Sequence, residues 1–196
     1  MSYRILLVVS LVLMNSVPAF SGGDSVARRD NPTLILGGVS GDNGKNFCYG
    51  MAKAEYYCDR IVGDQDLQNY CTGLSFSSSY CDKIVTPNLR NYCNGVTFRS
   101  NFCDIITDPQ QKTYCNGLGE DVSYCDKLTD PDQMNHCKGM VKKSLSLCGE
   151  IKDPDTRNYC EGVNGKPDAC QVIRSRNLRF YCEAIAGSPD SCEKIR

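Results

Sequence analysis

Residues 108–128 of this chain read DPQQKTYCNGLGEDVSYCDKL and hold two cysteines, Cys115 and Cys125. The 14 cysteines of the 196-residue chain are separated alternately by about ten and about twelve positions. A unit of roughly 22 residues therefore repeats seven times, which predicts a linear array of one small motif. The cysteines are Cys48, Cys58, Cys71, Cys81, Cys93, Cys103, Cys115, Cys125, Cys137, Cys148, Cys160, Cys170, Cys182 and Cys192.

Within 108–128, capping and turn residues predict two helices joined by a short turn. Asp108 is a good N-cap because its carboxylate can accept a backbone N–H of the first turn, and Pro109 fits the first helical position. We expect this helix to end at Gly117 in a left-handed conformation, before a second short helix that holds Cys125. The same glycine stands two residues after the first cysteine at Gly50, Gly73, Gly95, Gly117, Gly139 and Gly162, with Ala184 in the last unit.

An aliphatic residue or methionine follows every cysteine by three positions. In a helix this spacing places both residues on one face, so each helix buries a narrow apolar stripe. Such short helices are not stable alone in water, and the units must therefore pack on one another. The predicted fold class is all-α: a disulfide-stapled αα-hairpin solenoid of seven repeats, each of about 22 residues.

The N-terminal residues predict export. Arg4 precedes the apolar run 5–14, and small residues around Ala19 fit a cleavage site, so we expect residues 1–21 to be a signal peptide. That run is too short to span a membrane. Residues 22–45 are expected to be a flexible Gly/Asp/Asn-rich leader, and 46–196 the cysteine-rich helical repeat domain. Cysteines in this number behind a signal peptide predict disulfides and an oxidising compartment, either secreted or periplasmic.

Two regular disulfide schemes fit the spacing. In the first, the two cysteines of each unit pair, as in Cys115–Cys125. In the second, pairing runs across the turn between units, as in Cys58–Cys71, and leaves the first and last cysteines of a linear array alone. Seven complete hairpins and the short distance between helices near a hairpin tip favour the first scheme, although sequence alone does not establish connectivity.

The reactive side chains argue against an enzyme. His136 is the only histidine and stands where most units have Tyr or Phe, so we expect it to flank the buried stripe. No nucleophile–base arrangement can be built around it. The chain has no C-x-x-C, the motif of redox centres and many zinc sites, and its formal net charge of −1 gives no basic footprint for nucleic acid. We expect no catalytic residue, metal or cofactor.

Charged residues also recur with the repeat. Acidic residues follow most second cysteines, and basic residues stand three positions before the first cysteine at Arg90, Lys112, Arg157 and Arg179. One interpretation is that the two sets pair on the surface, which contributes little free energy per pair. The other is that the basic set lines a groove and receives an oppositely charged partner. These four basic residues are the candidate binding residues.

The predicted linear array lacks obvious polar caps. The chain stops directly after the stripe residue Ile195, and no Asp-Pro signal precedes Cys48. Uncapped solenoid ends can stack head to tail, so self-association is a further expectation.

This organisation resembles secreted, cysteine-rich helical repeat proteins of the tetratricopeptide-like kind, in which each αα-hairpin carries its own disulfide. The resemblance covers residues 46–196 and is architectural. It implies a surface for protein binding or scaffolding rather than an activity. We therefore expect a secreted or periplasmic, non-enzymatic repeat protein that binds another protein or a cell-surface component. A self-assembling structural element of the extracellular space is the alternative.

Overall fold

The computed structural model describes residues 39–97, 100–119 and 121–196. The predicted signal peptide and most of the predicted leader lie outside the described residues. Every regular element in the described ranges is helical, and the predicted all-α repeat fold is confirmed. Each of seven units contains a long helix followed by a short one. The pairs are Gly41–Ala52 and Glu55–Arg60, Gln65–Ser75 and Ser78–Lys83, Pro87–Thr97 and Ser100–Ile105, Pro109–Gly119 and Val122–Lys127, Pro131–Lys142 and Leu145–Gly149, Pro154–Val163 and Pro167–Val172, and Arg176–Ile185 and Pro189–Lys194.

The short helix is a 3₁₀ helix of six residues in every unit except the fifth. Residues i and i+3 eclipse one another in this geometry, so a cysteine and the aliphatic residue three positions later both face the core. Cys58 and Ile61, for example, are both buried. Unit 5 has one extra residue between its cysteines. There Lys143 takes a left-handed conformation with φ 52°, and the short helix is α-helical.

The residues that precede the first cysteine of each unit form the centre of the molecule. Their side chains are all buried, and the ring centroids of Phe47 and Tyr70, and those of Tyr114 and His136, are 6.2 Å apart. We call this set the aromatic belt: Phe47, Tyr70, Tyr92, Tyr114, His136, Tyr159 and Tyr181. The belt runs through the whole set of units, so the protein has one continuous core rather than seven small ones.

The array closes into a ring, which the sequence did not predict. The long helix of unit 1 packs against both helices of unit 7. The ring of Phe47 lies 6.4 Å from that of Tyr181, and the Tyr181 hydroxyl donates to the Gly44 carbonyl oxygen at 2.9 Å. The expectation of uncapped ends was therefore wrong, because the first and last units cover each other. Head-to-tail stacking through free ends loses its structural basis.

The favoured disulfide scheme was also wrong. Each short helix is joined to the long helix of the next unit, and Cys48 pairs with Cys192 across the ring closure. Cα–Cα distances are 5.5–5.7 Å throughout. The pairs are Cys48–Cys192, Cys58–Cys71, Cys81–Cys93, Cys103–Cys115, Cys125–Cys137, Cys148–Cys160 and Cys170–Cys182. The two cysteines that a linear array would leave alone become partners because ring closure makes them neighbours.

The recurring glycines serve the disulfides rather than the helix ends. Gly117 lies inside its helix and does not have a positive φ. A Cβ atom at this position would lie 2.7 Å from the sulfur atoms of both Cys125 and Cys137. The prediction of a left-handed helix terminus at these glycines was wrong, because the close approach of the next disulfide is what excludes a side chain.

The repeat domain starts earlier than the predicted boundary at residue 46. The first long helix begins at Gly41, so residues 41–45 of the predicted leader belong to the ring. Gly44 is buried there, and a Cβ atom on it would lie 2.8 Å from the Val39 carbonyl oxygen and 3.0 Å from Ile195. The segment is therefore held at Gly44 by contact with the last unit, which local sequence signals do not report.

A polar side chain near the start of each long helix holds the turn that follows the same unit. The Asp132 carboxylate accepts the backbone N–H groups of Lys152 and Asp153, both at 2.8 Å. Asn43 does the same for Val62, with its amide both accepting and donating at 2.9 Å. These contacts fix the start of each following unit.

Candidate functional site

The four predicted basic residues occupy one repeat position in the first turns of long helices, and their side chains are half-buried. They do not form one continuous groove. Arg90 and Lys112 lie in units 3 and 4, and Arg157 and Arg179 lie in units 6 and 7. Met134 holds the same position in the unit between the two pairs.

At two junctions between units, the basic residue pairs with an acidic residue of the preceding unit. The Lys112 Nζ lies 3.2 Å from an Asp104 carboxylate oxygen, and Lys45 lies 4.0 Å from Glu193 at the ring closure. Hydrogen bonds from Lys112 and Asn116 lower the pKa of Asp104. The acidic residue in the corresponding place for Arg90 is Asp82, which accepts a hydrogen bond from Asn94 at 2.9 Å. At the Lys112 and Lys45 junctions, the charges pair on the surface as the first interpretation expects.

The acidic position is lost in the units that precede Arg157 and Arg179. The residue after the second cysteine is Gly149 in unit 5 and Gln171 in unit 6. Among the described residues, no carboxylate forms an ion pair with Arg157 or Arg179. Two neighbouring long helices therefore each carry an arginine without the carboxylate that the repeat provides elsewhere.

Further cations gather around Arg179. The charged groups of Arg176, Arg179 and Lys194 lie 5.7, 5.0 and 5.5 Å from the centroid of the Phe180 ring. A ring at this distance attracts cations through its quadrupole, which partly offsets the repulsion between like charges. The nearest acidic compensation is Glu183, 4.0 Å from Lys194, and its carboxylate also accepts from Ser191 at 2.7 Å. We call Arg157, Arg176, Arg179 and Lys194 the basic patch.

Arg176, Lys194 and Phe180 are not among the residues predicted from the sequence. A signal for them was present, because Phe180 stands two residues before the first cysteine, where the other units have Asn or Thr. In unit 2 the equivalent Asn69 donates its amide to the Lys83 carbonyl oxygen at 3.1 Å. Replacement of that amide by an aromatic ring gives unit 7 a surface that holds cations.

All fourteen cysteines are buried in the seven disulfides. His136 belongs to the aromatic belt, with its Nδ1 2.8 Å from the Tyr114 hydroxyl, and burial lowers its pKa to about 4. Within the described ranges, no group of His, Cys, Asp and Glu side chains is arranged to hold a metal ion. In those same ranges no helix is both long and apolar enough to cross a membrane.

No protein-family model matches this chain, and neither a curated protein nor a solved structure shows similarity to it. The helical repeat architecture is thus confirmed by the structure alone, and the tetratricopeptide-like kind stays a prediction. The disulfides, which join successive units, differ from the within-hairpin bridges of that resemblance.

Proposed function

We propose that this protein is a non-enzymatic binding ring of an oxidising extracellular compartment, whose basic patch recognises an acidic surface on another protein. The observation that carries the proposal is the loss of the acidic partner at Gly149 and Gln171, opposite the arginines of the last two units. In the same repeat position elsewhere, Lys112 and Lys45 are paired within the ring.

Like charges held close together repel one another, and an acidic partner relieves this repulsion. Arg176 is exposed and Arg179 is half-buried, and the guanidinium groups of both lie over the Phe180 ring, 5.7 and 5.0 Å from its centroid. Their planar guanidinium groups can therefore still donate in-plane hydrogen bonds to a carboxylate. Complementary charge of this kind contributes both to specificity and to the rate of association.

The disulfide framework supports a binding role, because it holds the surface in one conformation before the partner arrives. Every junction between units carries a buried disulfide, so the neighbouring helices of units 6 and 7 are fixed to each other by Cys170–Cys182. A preorganised surface avoids part of the entropy cost of ordering on association. Disulfides in this number also support residence in a secreted or periplasmic environment, as the predicted signal peptide does.

The proposal is tested with immobilised poly-L-glutamate as an acidic polypeptide probe and biolayer interferometry at about 50 mM and about 300 mM NaCl. We expect salt-sensitive binding that weakens at least about fivefold in the double variant Arg176→Gln/Arg179→Gln. The matched control is Lys112→Gln, which removes a cation already paired with Asp104. Equal weakening in the control and the double variant, or no weakening in either, would show that the basic patch is not the binding surface.

A further inference from the structure

A second surface feature lies at the ring closure, where unit 7 meets unit 1. It is a cleft of about 450 Å³, within the size range of pockets that hold small ligands. Its lining includes Asp42, Lys45, Tyr49, Tyr57, Arg60 and Glu193. The basic patch and this cleft are formed by different side chains, so a ligand of one does not require the other.

Three tyrosines of unit 1 stack on one another, and two of them, Tyr49 and Tyr57, line the cleft. The ring centroids of Tyr49 and Tyr57 are 4.7 Å apart, and those of Tyr56 and Tyr57 are 4.3 Å apart. Tyr56 is not itself in the lining, but its ring stacks on Tyr57 and lies beside Arg60, which both line the cleft, and it stays 49% exposed at the cleft edge.

This tyrosine cluster occurs in unit 1 only. The position of Tyr56 is occupied by Ser, Asn or Asp in all other units, and that of Tyr49 by Thr, Asn, Lys or Glu. The Tyr49 hydroxyl donates to a Glu193 carboxylate oxygen at 3.0 Å. This contact contributes to ring closure and gives a reason for a tyrosine at position 49. It does not explain Tyr56, which is half-exposed and whose counterparts Ser79 and Ser123 show that the fold forms without a ring there.

Polar groups of both charges surround the stack. The Arg60 guanidinium lies 5.3 Å from the Tyr56 centroid and 4.8 Å from the Tyr57 centroid. The side chains of Asp42 and Glu193 are 94% and 66% exposed, and each reaches Lys45 only at 4.0 Å. Two cations and two carboxylates cancel in net charge, and their donors and acceptors stay accessible to a ligand.

We propose that this cleft binds a neutral carbohydrate. A pyranose ring has an apolar C–H face that packs on an open tyrosine ring, and a rim of hydroxyl groups that both donate and accept hydrogen bonds. The cleft and its edge offer both features, with the exposed Tyr56 ring beside the cleft as the apolar surface and Arg60, Asp42 and Glu193 in its lining as the polar groups. The two carboxylates disfavour a polyanion, and the balance of charges matches a neutral ligand.

The test is a titration of the ¹⁵N-labelled full ring with maltotriose, cellotriose and chitotriose, followed by amide chemical shifts. We expect saturable shifts for at least one sugar, confined to unit 1 and the residues around Glu193. The variant Tyr56→Ala should weaken that binding about tenfold. Tyr80→Ala is the matched control, because Tyr80 also carries a cation, with Lys83 at 3.7 Å, but belongs to another unit.

Absence of saturable shifts for all three sugars at concentrations up to about 50 mM would overturn the proposal. Equal loss in Tyr56→Ala and Tyr80→Ala would overturn it as well, and so would shifts located outside the cleft. The result with poly-L-glutamate concerns the basic patch alone, so the failure of either binding activity can be recognised separately.

Discussion

At the scale of single residues, the aromatic belt shows how one position was adapted. Six of its seven members are Tyr or Phe, and the seventh is His136, which is 2% exposed. Its Nδ1 shares a hydrogen bond of 2.8 Å with the Tyr114 hydroxyl, and its ring lies between those of Tyr114 and Tyr159. Burial removes the water that would otherwise solvate the charged imidazolium. The charged form is therefore disfavoured, and the pKa of His136 falls from 6.5 to about 4.

This shift predicts that the ring loses stability in acid. Between pH 6.5 and about 4 the unfolded chain binds a proton at His136 that the folded ring does not. Above pH 6.5 the protonation of His136 therefore takes nothing from the free energy of unfolding. As the pH falls to 4, it lowers that free energy by about 3 kcal/mol. We expect His136→Tyr, which restores the residue of neighbouring units, to show a smaller loss. Guanidinium unfolding at pH 7 and pH 4.5 measures it, and equal pH dependence in both proteins would contradict the prediction.

At the scale of helices, the disulfides and the glycines act together. In the first six units the long helix passes beneath the disulfide that joins its own short helix to the next unit, and a glycine provides the room, whereas unit 7 has Ala184 there. The approach is close at each of these six glycines, as at Gly73, where a Cβ atom would lie 2.7 and 2.8 Å from two sulfur atoms. Glycine costs helix stability, so its recurrence in the middle of long helices needs a packing reason, and the disulfides supply it.

This arrangement predicts opposite effects for two Gly→Ala substitutions. Gly117→Ala should lower the free energy of unfolding by about 1 to 3 kcal/mol, because the added methyl group would overlap two sulfur atoms. Gly149→Ala is the matched control, since it also lies in a helix and a Cβ atom there meets nothing within 4 Å. We expect it to be neutral or slightly stabilising. Thermal unfolding measures both, and a stable Gly117→Ala protein would show that the helix can shift away from the disulfide.

At the scale of the whole molecule, closure of the ring is the main structural fact. The Cys48–Cys192 disulfide spans 144 residues, whereas Cys103–Cys115 spans 12. By chain entropy the long closure stabilises the fold by about 4 to 5 kcal/mol, and a short one by about 3 kcal/mol. The closing disulfide also holds the cleft at the junction of units 7 and 1, which includes Glu193 and Tyr49.

We therefore predict that Cys48→Ser/Cys192→Ser is destabilised more than the matched pair Cys103→Ser/Cys115→Ser. Amide hydrogen exchange should also become faster first in unit 1 and unit 7, because these two units would be held together by packing alone. Guanidinium unfolding and hydrogen exchange measure the two effects. A smaller loss in the Cys48/Cys192 variant, or protection that stays uniform around the ring, would contradict the role of the closing disulfide.

The sequence alone determined the architecture of one unit. Periodic cysteines, the aliphatic residue three positions later and the Asp-Pro helix starts are local signals, and they act within one helix or one turn. They gave the helical repeat, the buried stripe and the disulfide-forming cysteines, and they included Arg157 and Arg179 among the candidate binding residues. What they could not report is the rotation between successive units, because that depends on packing across each junction.

Only the tertiary structure decided that this rotation amounts to one-seventh of a turn, so that unit 7 meets unit 1. Once the array closes, Cys48 and Cys192 become neighbours, and the pairing across junctions has no cysteine left over. The same closure brings Glu193 to Tyr49 and forms the cleft. A small rotation repeated seven times is a collective property of the packed units, and no single repeat encodes it.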